Sequence, residues 1–505
     1  MGRNRVNGSG AAGLLVLAMG VFASTAYAFD TGPHFDITED VLRSEGFSTA
    51  GIQTVQSANF FVDFYEFMGS AKVRAQRVSP TTGCRDSLPE ILKIGDAQHF
   101  DDLIDGQQVA HKWDAMLDAT SKAAREKEKA GDVLGLLALL GMSLHNVQDF
   151  YAHSNWVDGG TLGPPLGKGA LAKYGDHPTW LSMDRKDREA LEVYTSLNRP
   201  SMQRSHGDWD SDTLALNKDW AGRPHYNDAY MCAYFATRQW VRLFPMFLDK
   251  RGTWNQMQQW SAKSFDPARD WDYARKISFY GGHWNGNGEA PSGAGASKYF
   301  LAGAVVDFLH GLCVSGNASP LRRRVEDLLL GWGRMPYHGP FDMTLPSASP
   351  ESLQFVQLKV HSVFATQGDD GFLGGQMDWY SRAGIDGQRF WSGLIDEHDQ
   401  FDFHSGHYAP WTMTKAVPYS TADIGVTFQL MELDAKYDDQ IDINPKPGLK
   451  SLVVRYAPAT GGVRGDVSTA NGTVRSDSRF TMEGKGDCDC ARVIMSVERI
   501  TGTSR

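Results

Sequence analysis

Residues 133–156 read VLGLLALLGMSLHNVQDFYAHSNW, and this stretch decides the fold. Its first half, Val133 to Leu144, is apolar on nearly every side of a helix, with Ser143 as the exception. A helix without a polar face has to be buried among other helices. Asp132 stands immediately before the stretch, where a helix N-cap is expected. The sequence therefore predicts one central helix over 133–156 in the middle of a helical bundle.

The pattern of apolar residues divides the rest of the chain into two parts. Asp36 and Glu39 have the spacing of a capping box before Val41. Apolar spacings of three and four predict further helices at 52–67, 226–248, 299–314 and 321–332. Later runs alternate between apolar and polar residues, at 357–365, 424–433, 450–456 and 491–497. We therefore predict an α + β multidomain chain, with a mainly α-helical domain over 29–345 followed by a C-terminal antiparallel β-sandwich over 346–505.

The first 28 residues have the features of a secretory signal peptide. Two arginines precede an apolar run at 11–22, and Ala26-Tyr27-Ala28 has the pattern of a signal-peptidase site. We expect cleavage after Ala28 and export of a soluble mature chain that begins at Phe29. Beyond this segment, we expect no apolar run long enough to span a membrane.

Composition narrows the classes of function. The 505 residues include 50 Lys and Arg against 60 Asp and Glu, a formal net charge of −10. A broad electrostatic nucleic-acid binder is strongly basic, so no nucleic-acid partner is expected. Five cysteines in an exported chain of this length do not make a disulfide framework. Cys232 and Cys313, in apolar helical surroundings, fit small buried hydrophobic positions.

The strongest chemical signal lies on the second half of the central helix. His145, Asp149 and His153 are spaced four residues apart, which places two imidazoles and a carboxylate on one face of successive turns. One rigid helix can thereby supply several ligands to neighbouring zinc ions. The alternative is a structural cluster in which each ionisable group has its own buried partner. Because the helix is otherwise so apolar, the pattern favours metal.

Other segments carry candidate partners for these three residues. Asp63 lies on an earlier predicted helix, and His99 lies in a predicted loop. His34 stands five residues after the predicted mature N-terminus. The α-amine of Phe29, with an ordinary pKa of about 8, can lose its proton to a metal and become a nitrogen ligand. Further candidates downstream are His206, Asp208, Asp219 and His225.

The whole set of motifs resembles the zinc-dependent phospholipase C superfamily. The resemblance is closer to its Pseudomonas phosphatidylcholine phospholipase C and fungal Het-C-like branch, and more remote to the fungal tri-zinc single-strand nucleases. The phrase HNVQDFYAHSNW at 145–156 is highly specific for this branch. The similarity covers about residues 29–245. Its other motifs are Gly32-Pro33-His34, Asn59-x-x-x-Asp63, His99-Phe100-Asp101, Ser205-His206-Gly207, and Leu216-x-x-Asp219 with Pro224-His225.

The resemblance implies a cluster of three zinc ions. The implied ligands of the first zinc are Asp63, His99, His145 and Asp149. Those of the second are the amine and carbonyl of Phe29, His34 and, as a bridge, Asp149. In the catalytic roles, Asp63 or Asp149 would orient the attacking water or act as the base.

The third zinc is the point where this sequence departs from the family pattern. The resemblance implies that His153 binds it with His206 and His225. The best-known members take their last two ligands from a His-x-x-x-Asp or His-x-x-x-Glu pair on one helix, whereas position 229, four after His225, is Ala. The reserve ligands for this site are Asp208 and Asp219.

Acidic residues in the predicted sandwich suggest a second kind of metal. Carboxylates that converge from two or three loops are what a calcium ion takes. The candidate calcium ligands are Asp378, Asp434, Asp438, Asp439 and Asp442. Here the chain resembles, more weakly, the calcium-dependent membrane-docking sandwich of clostridial alpha-toxin. Solvated acidic loops are an equally good interpretation.

The resemblance implies a secreted phospholipase C that hydrolyses phosphatidylcholine-type lipids to diacylglycerol and a phosphorylated headgroup through a zinc-activated water. Its expected partner is a phospholipid membrane surface or micelle, and the protein is expected to be a monomer. One alternative is a zinc-dependent phosphodiesterase that acts on nucleic acid or nucleotides. Another is a non-enzymatic adhesion or incompatibility protein with purely structural zinc, whose coordination would be closed.

Overall fold

The computed structural model describes residues 31–69, 98–158, 171, 173–196, 216–219, 221–263, 265–281, 319–332, 335–342, 352–367, 377–395, 399–403, 411–433, 438–467, 473–475, 479–485 and 490–500. The predicted signal peptide and the predicted helix at 299–314 lie outside these residues. So do four predicted site residues: Phe29, His206, Asp208 and Asp434.

The amino-terminal part of the chain is helical. Within the described residues its helices are α1 (Thr31–Ser44), α2 (Thr49–Gly69), α3 (Gly106–Lys129), α4 (Val133–His153), α5 (Arg185–Glu189), α6 (Tyr226–Leu243), α7 (Arg251–Gln258), α8 (Pro267–Gly281) and α9 (Pro320–Trp332). The helices predicted at 52–67 and 321–332 are confirmed. The helix predicted at 226–248 is confirmed as far as Leu243, after which Phe244–Phe247 form a 3₁₀ turn that contains Pro245.

The central helix α4 lies inside the bundle along its whole length. Every residue from Leu134 to His153 is buried, because α2, α3, α6, α7 and α9 pack around it. Asp132 caps the helix as predicted, with its Oδ1 accepting a hydrogen bond from the backbone N–H of Gly135 at 3.0 Å. The helix ends at His153, three residues earlier than predicted. Ser154 there adopts an extended backbone and caps a separate 3₁₀ turn, Asn155–Val157.

By length and composition alone, α4 is long and apolar enough to cross a membrane. The expectation that no apolar run after the signal peptide is long enough to span a membrane is therefore corrected. Among the described helices α4 alone meets this criterion, with 21 residues and a mean hydropathy of 1.2 over the best window. That window is 94% buried inside the protein. Its apolar surface is therefore already covered by the other helices of the bundle.

The prediction for the start of α1 is wrong. The helix already runs from Thr31, so Asp36 and Glu39 lie in its second and third turns and form no capping box. Glu39 instead accepts a hydrogen bond from Arg43 one turn later, with a distance of 2.6 Å. An acidic residue followed four positions later by a basic one is a favourable pair within a helix.

The carboxy-terminal part consists of two antiparallel sheets. Its strands are β1 (Leu353–Gln367), β2 (Trp379–Ile385), β3 (Gln388–Trp391), β4 (Gln400–Asp402), β5 (Trp411–Pro418), β6 (Ile424–Glu432), β7 (Asp439–Ile441), β8 (Leu452–Ala457), β9 (Gly462–Gly465), β10 (Thr473–Arg475), β11 (Phe480–Glu483) and β12 (Cys490–Ile500). One sheet has the order β11-β12-β1, and β4 and β5 both pair with the other edge of β1. The second has the order β10-β9-β8-β6-β2-β3, and β7 pairs with β6.

The sandwich prediction is confirmed by this order of elements. The predicted strands at 357–365, 424–433, 450–456 and 491–497 correspond to β1, β6, β8 and β12. Along β8, buried and exposed residues alternate, as expected for a strand with one face in the core. The domain boundary at 345 stays a prediction, because residues 343–350 lie outside the described part of the chain.

The helical part and the sandwich share a hydrophobic core. Phe355, Ala416 and Ile500 come from the strands but belong to the core cluster of the helices. The ring of Phe355 lies edge-on to the rings of Tyr234 and Phe235 on α6, with centroid distances of 5.2 and 5.7 Å. The sandwich therefore packs directly on α6, next to the helices that hold the candidate ligands.

Candidate metal centre

Three separate segments bring four donor atoms together beside α4. These atoms are Asp63 Oδ1 of α2, His99 Nε2 of the segment before α3, and His145 Nε2 and Asp149 Oδ2 of α4, here called the four-donor site. His145 Nε2 lies 2.9 Å from His99 Nε2, 3.4 Å from Asp63 and 3.3 Å from Asp149. His99 Nε2 lies 3.4 Å from Asp63 and 3.8 Å from Asp149. The four residues that the resemblance assigns to the first zinc therefore lie side by side.

The spacing of three of these donors, Asp63, His99 and His145, fits ligands of one tetrahedral zinc ion. Zinc bonds of about 2.0–2.1 Å to nitrogen and oxygen give donor-to-donor edges of about 3.3–3.4 Å in a tetrahedron. The three distances among Asp63, His99 and His145, from 2.9 to 3.4 Å, lie close to that edge. Asp149 lies 3.3 and 3.8 Å from the two histidines but outside the group that those three donors form. Both oxygens of Asp149 are buried, and neither accepts a hydrogen bond of regular geometry from a described residue. A buried carboxylate in that condition is costly unless it is paired or binds a metal.

A second group of potential ligands shares two residues with the four-donor site. His34 of α1 lies with Nε2 3.3 Å from Asp149 Oδ1, and its ring stacks on that of His145 at 4.6 Å. His34, His145 and Asp149 together form a group of possible metal ligands, here called the His34 site. Asp149 thus presents Oδ2 to the four-donor site and Oδ1 to His34, as a bridging carboxylate does.

One hydrogen-bond network fixes the orientation of both His34 and His145. The amide oxygen of Gln148 accepts from His34 Nδ1 at 2.5 Å and from the amide of Asn59 at 3.0 Å. The amide oxygen of Asn59 accepts from His145 Nδ1 at 3.1 Å. Because an amide oxygen can only accept, both imidazoles carry a proton on Nδ1. Their Nε2 atoms are therefore the ones directed at Asp149, as expected for metal-binding histidines with outer hydrogen-bond partners.

The hydroxyls of two threonines complete this network. Gln148 donates from Nε2 to the hydroxyl oxygens of Thr38 on α1 and Thr237 on α6, at 3.2 and 3.1 Å. Asn59, Gln148 and both threonines are buried. Four helices, α1, α2, α4 and α6, thereby meet at one amide group, which leaves the two histidines little freedom to rotate.

The electrostatics of the site favour the protonation states that bind metal. Burial raises the pKa of Asp149, but the imidazoles of His145 and His99 outweigh burial and hold the pKa well below its usual value. Burial lowers the pKa of His145. An ionised carboxylate and a neutral imidazole are the states that bind zinc. Burial also opposes protonation of His34, but its contact with Asp149 outweighs burial and raises the pKa.

His153 lies one turn further along α4, between two carboxylates. Its Nδ1 is 3.2 Å from Asp101 Oδ1 and its Nε2 is 3.1 Å from Asp219 Oδ1. Burial lowers the pKa of His153, but Asp101 and Asp219 outweigh burial and raise it well above the usual value. A carboxylate on one imidazole nitrogen is the usual means of orienting a histidine that binds metal through the other. Of the two residues suggested for the third zinc that the structure describes besides His153, His225 and Asp219, it is thus Asp219 that contacts His153.

A buried lysine holds the segment that carries Asp219. Lys218 donates through Nζ to the carbonyl of Ser154 at 2.9 Å and to the carboxylate of Asp158 at 3.0 Å. Both acceptors lie just beyond the end of α4. His225, like His153 and Asp219, belongs to neither group of potential metal ligands among the described residues. It lies at the start of α6 in a left-handed conformation, with Nδ1 3.8 Å from Asp228.

Comparisons with known proteins give partial matches. A family model described as the VWA7 N-terminal domain matches residues 88–169, and no curated protein matches the chain. Clostridium perfringens alpha-toxin from an avian strain shares 12% identity, with 82% of this chain and 97% of the toxin covered and a TM-score of 0.14. A C2 domain shares 11% identity over 29% of this chain and 99% of its own length, with a TM-score of 0.18.

A third solved structure, human GIVD cytosolic phospholipase A2 with an inhibitor, shares 10% identity over 30% of this chain at a TM-score of 0.19. The match spans 18% of that enzyme's length. All of these TM-scores are too low to assign a function. The assignment therefore depends on the chain's own residues.

The candidate calcium ligands of the sandwich have other contacts. Asp438 accepts a hydrogen bond from Tyr380 at 2.6 Å and lies 3.6 Å from Arg382. Asp442 accepts from the backbone N–H of Asn444 at 2.9 Å. Asp378 precedes β2, and Asp439 lies in β7 opposite Glu432. Among the described residues, none of these carboxylates belongs to a group of three potential metal ligands, so calcium binding stays a prediction.

Sequence reasoning missed Gln148 and gave no role to Asn59 or Asp101. A signal for Gln148 was present. It is a polar residue on a helix expected to be buried, and a buried amide has to form hydrogen bonds. The part played by Asp101 had no such signal, because it depends on the path of a loop that returns to the end of α4.

Proposed function

We propose that this chain is a secreted zinc-dependent phospholipase C that hydrolyses phosphatidylcholine-type lipids to diacylglycerol and a phosphorylated headgroup. The observation that carries the proposal is the four-donor site, in which Asp63, His99 and His145 from three distant segments lie 2.9–3.4 Å apart, close to the edge of a tetrahedral zinc ligand set, with Asp149 beside both histidines. The ligands are Asp63, His99, His145 and Asp149, with His34 on the second oxygen of Asp149.

Phosphodiester hydrolysis suits this set of residues. The chemistry that zinc supplies when bound at such a cluster is Lewis acidity towards a water molecule and towards the phosphate oxygens of the substrate. The chain's own residues hold the donors rigidly and keep the site dry. His34, His99, His145 and Asp149 have side chains with at most 2% exposure.

Asp63 differs from these residues in its access to solvent. Its side chain is 15% exposed, so the four-donor site opens on the Asp63 side. A structural zinc site has closed coordination, whereas a catalytic site keeps a position open. We assign Asp63 the role of orienting water or substrate at that opening, and Asp149, which is fully buried, the role of bridging ligand.

Charge and architecture favour a lipid over a nucleic acid as the substrate. The chain's net charge of −10 repels a polyanion. The motif at 145–156 resembles the phospholipase branch of the superfamily more closely than the nuclease branch. A sandwich packed directly on the helical part would help the enzyme to engage an aggregated substrate.

The test is to measure metal and activity on the same secreted, processed protein. Elemental mass spectrometry is expected to find about three zinc ions per chain, one for each metal in the family's cluster. Phosphocholine release from lecithin micelles should be lost with a chelator and restored by zinc. Single-stranded DNA serves as the competing substrate. Zinc-dependent cleavage of DNA without lipid hydrolysis would replace the proposal with a nuclease, and zinc without either activity would make the metal structural.

A further inference from the structure

Helix α1 is held by the metal centre on one side and by the sandwich on the other. His34 contacts Asp149 of the metal centre. Two later positions of the same helix, the carbonyl of Asp36 and the carboxylate of Asp40, contact strands of the sandwich. The three residues span less than two turns of helix. A shift of α1 relative to the sandwich would therefore also move His34 relative to Asp149.

Gln388 and Lys415 make the sandwich's contacts with α1. Gln388 of β3 donates through Nε2 to the carbonyl of Asp36 at 3.2 Å. Its amide oxygen accepts from Lys415 of β5 at 3.2 Å. Lys415 also donates to Asp40, whose other oxygen accepts from the backbone N–H of Ala416 at 3.1 Å. The contact thus joins two strands to two successive turns of one helix.

This polar contact is buried. Gln388 is 1% exposed, Asp40 5% and Lys415 8%. Hydrogen bonds and ion pairs in such surroundings are stronger than in water, and leaving any partner unsatisfied is costly. A buried ionic contact is a weak source of net stability but selects one geometry strongly. The position of α1 on the sandwich is accordingly well defined.

We propose that Gln388 and Lys415 are positioning residues for the metal centre: they fix α1 on the sandwich and so set His34 at its distance from Asp149. The inference rests on the proposed zinc site. It makes the sandwich part of the metal-binding unit, in addition to any role in contact with lipid. The docking of the sandwich and the binding of metal at the His34 site are then coupled, so that each strengthens the other.

The decisive variant is Gln388→Ala, with Gln357→Ala as its matched control. Gln357 is also a buried glutamine of the sandwich at the same interface, but it donates to Asn227 of α6 and to Thr414 rather than to α1. Zinc affinity is measured on the full mature chain by competition with a chromophoric chelator. We expect Gln388→Ala to weaken zinc binding about 10-fold, the low end of the range for groups that hydrogen-bond a ligand directly, because Gln388 acts on His34 through α1, and Gln357→Ala to change it less than two-fold.

The double variant with His34→Ala separates positioning from general destabilisation. If Gln388 acts through His34, Gln388→Ala has no further effect on zinc affinity once His34 is absent. An equal loss in both backgrounds, or wild-type affinity in Gln388→Ala, would overturn the inference. Gln388→Glu provides a second variant in case the alanine variant does not fold. It retains an oxygen for Lys415 and removes the N–H that reaches α1, and the same loss of affinity is expected.

The same measurements separate this inference from the proposed function. A wild-type chain that binds no zinc overturns both. Zinc binding that responds to Gln388 as described supports the inference even if lecithin is not hydrolysed, because the readout is affinity. If the chain binds zinc and hydrolyses lecithin, but its zinc affinity does not change in Gln388→Ala, the inference alone is overturned.

Discussion

Gln148 is the residue on which the orientation of the histidines depends most. Its amide oxygen accepts from both His34 and Asn59. Leucine has a similar volume but no acceptor, so Gln148→Leu leaves the Nδ1–H of His34 without its acceptor and loosens Asn59, which orients His145. We expect zinc affinity to fall by about 10- to 100-fold, as measured by chelator competition.

Asn146→Leu is the matched control for that variant. Asn146 is a buried amide on the same helix, and its Nδ2 donates to the carbonyl of Met142 within the helix. It takes no part in the network around Gln148. Removal of this amide should leave zinc affinity nearly unchanged. An equal loss in both variants would show that the metal centre responds to any polar deletion on α4.

Asp149 is the residue whose charge the metal centre requires. Asp149→Asn preserves the shape of the side chain and removes the negative charge that faces His34, His99 and His145. Because this carboxylate is proposed to bridge two metals, we expect zinc content and phosphocholine release to fall together below detection. Asp118→Asn, at an exposed pair with Lys122, should retain both. A zinc-replete Asp149→Asn variant would contradict the bridging role.

At the scale of single residues, the sequence predicts ligands better than their surroundings. Residues at i, i+4 and i+8 of a helix lie on one face by geometry alone, which is why His145, Asp149 and His153 were identifiable. Their outer partners come from other segments, and periodicity contains no information about which segments meet. His153 illustrates the limit: between His225 and the reserve candidate Asp219, the two suggested partners that the structure describes, it is Asp219 that contacts His153.

At the scale of elements, one glycine sets the distance between α2 and α4. A Cβ at Gly141 would lie 2.4 Å from the carbonyl oxygen of Val55 and 2.7 Å from the Cβ of Ala58. The contact is to backbone, so the methyl group of Gly141→Ala can be accommodated only if the helices separate. We expect a loss of about 1–3 kcal/mol in the free energy of unfolding, measured by urea denaturation.

The separation should also reach the metal centre. Asn59 and Asp63 both lie on α2, and a Cβ at Gly141 would lie 3.0 Å from the backbone nitrogen of Asn59. Gly141→Ala should therefore weaken zinc binding as well as stability. The control is Gly331→Ala on α9, where a Cβ meets nothing within 4 Å and the better helix former should be neutral or stabilising. Wild-type stability of Gly141→Ala would refute the tight contact.

Elements were predictable where their sequence left no alternative. A segment apolar on all sides has to be a buried helix, and alternating runs between turn residues have to be strands with one buried face. The helix α3 was missed although it is 24 residues long, because its last turns are dominated by charged residues and it has an ordinary amphipathic pattern. The start of α1 was misplaced because an acidic pair typical of a capping box also fits a helix interior.

At the scale of the whole molecule, the helical part and the sandwich form one packed unit at α1 and α6. Sequence patterns predicted a change of architecture near residue 345. They could not predict how the sandwich packs on the helical part, because the contacts between the two join residues more than a hundred positions apart. Tyr230 of α6 donates to the carbonyl of Thr414 at 3.0 Å, and Lys415 reaches Asp40. Because the two parts share buried contacts, we expect them to unfold in a single transition in calorimetry.

Phe355 is the residue through which that cooperativity can be tested. It is 2% exposed and packs against Tyr234 and Phe235, so Phe355→Ala removes its ring from the shared core. We expect a loss of about 3–5 kcal/mol in the free energy of unfolding and a split into two calorimetric transitions, because the deletion weakens the contact between the helical part and the sandwich.

Phe401→Ala is the control for this variant: Phe401 is 3% exposed but belongs to the core of the sandwich. It should lower stability by a similar amount while the transition stays single. Two transitions in the wild-type chain would show that the sandwich folds independently of the metal-binding helices. A single transition of undiminished sharpness in Phe355→Ala would show that the coupling between the two parts does not depend on Phe355.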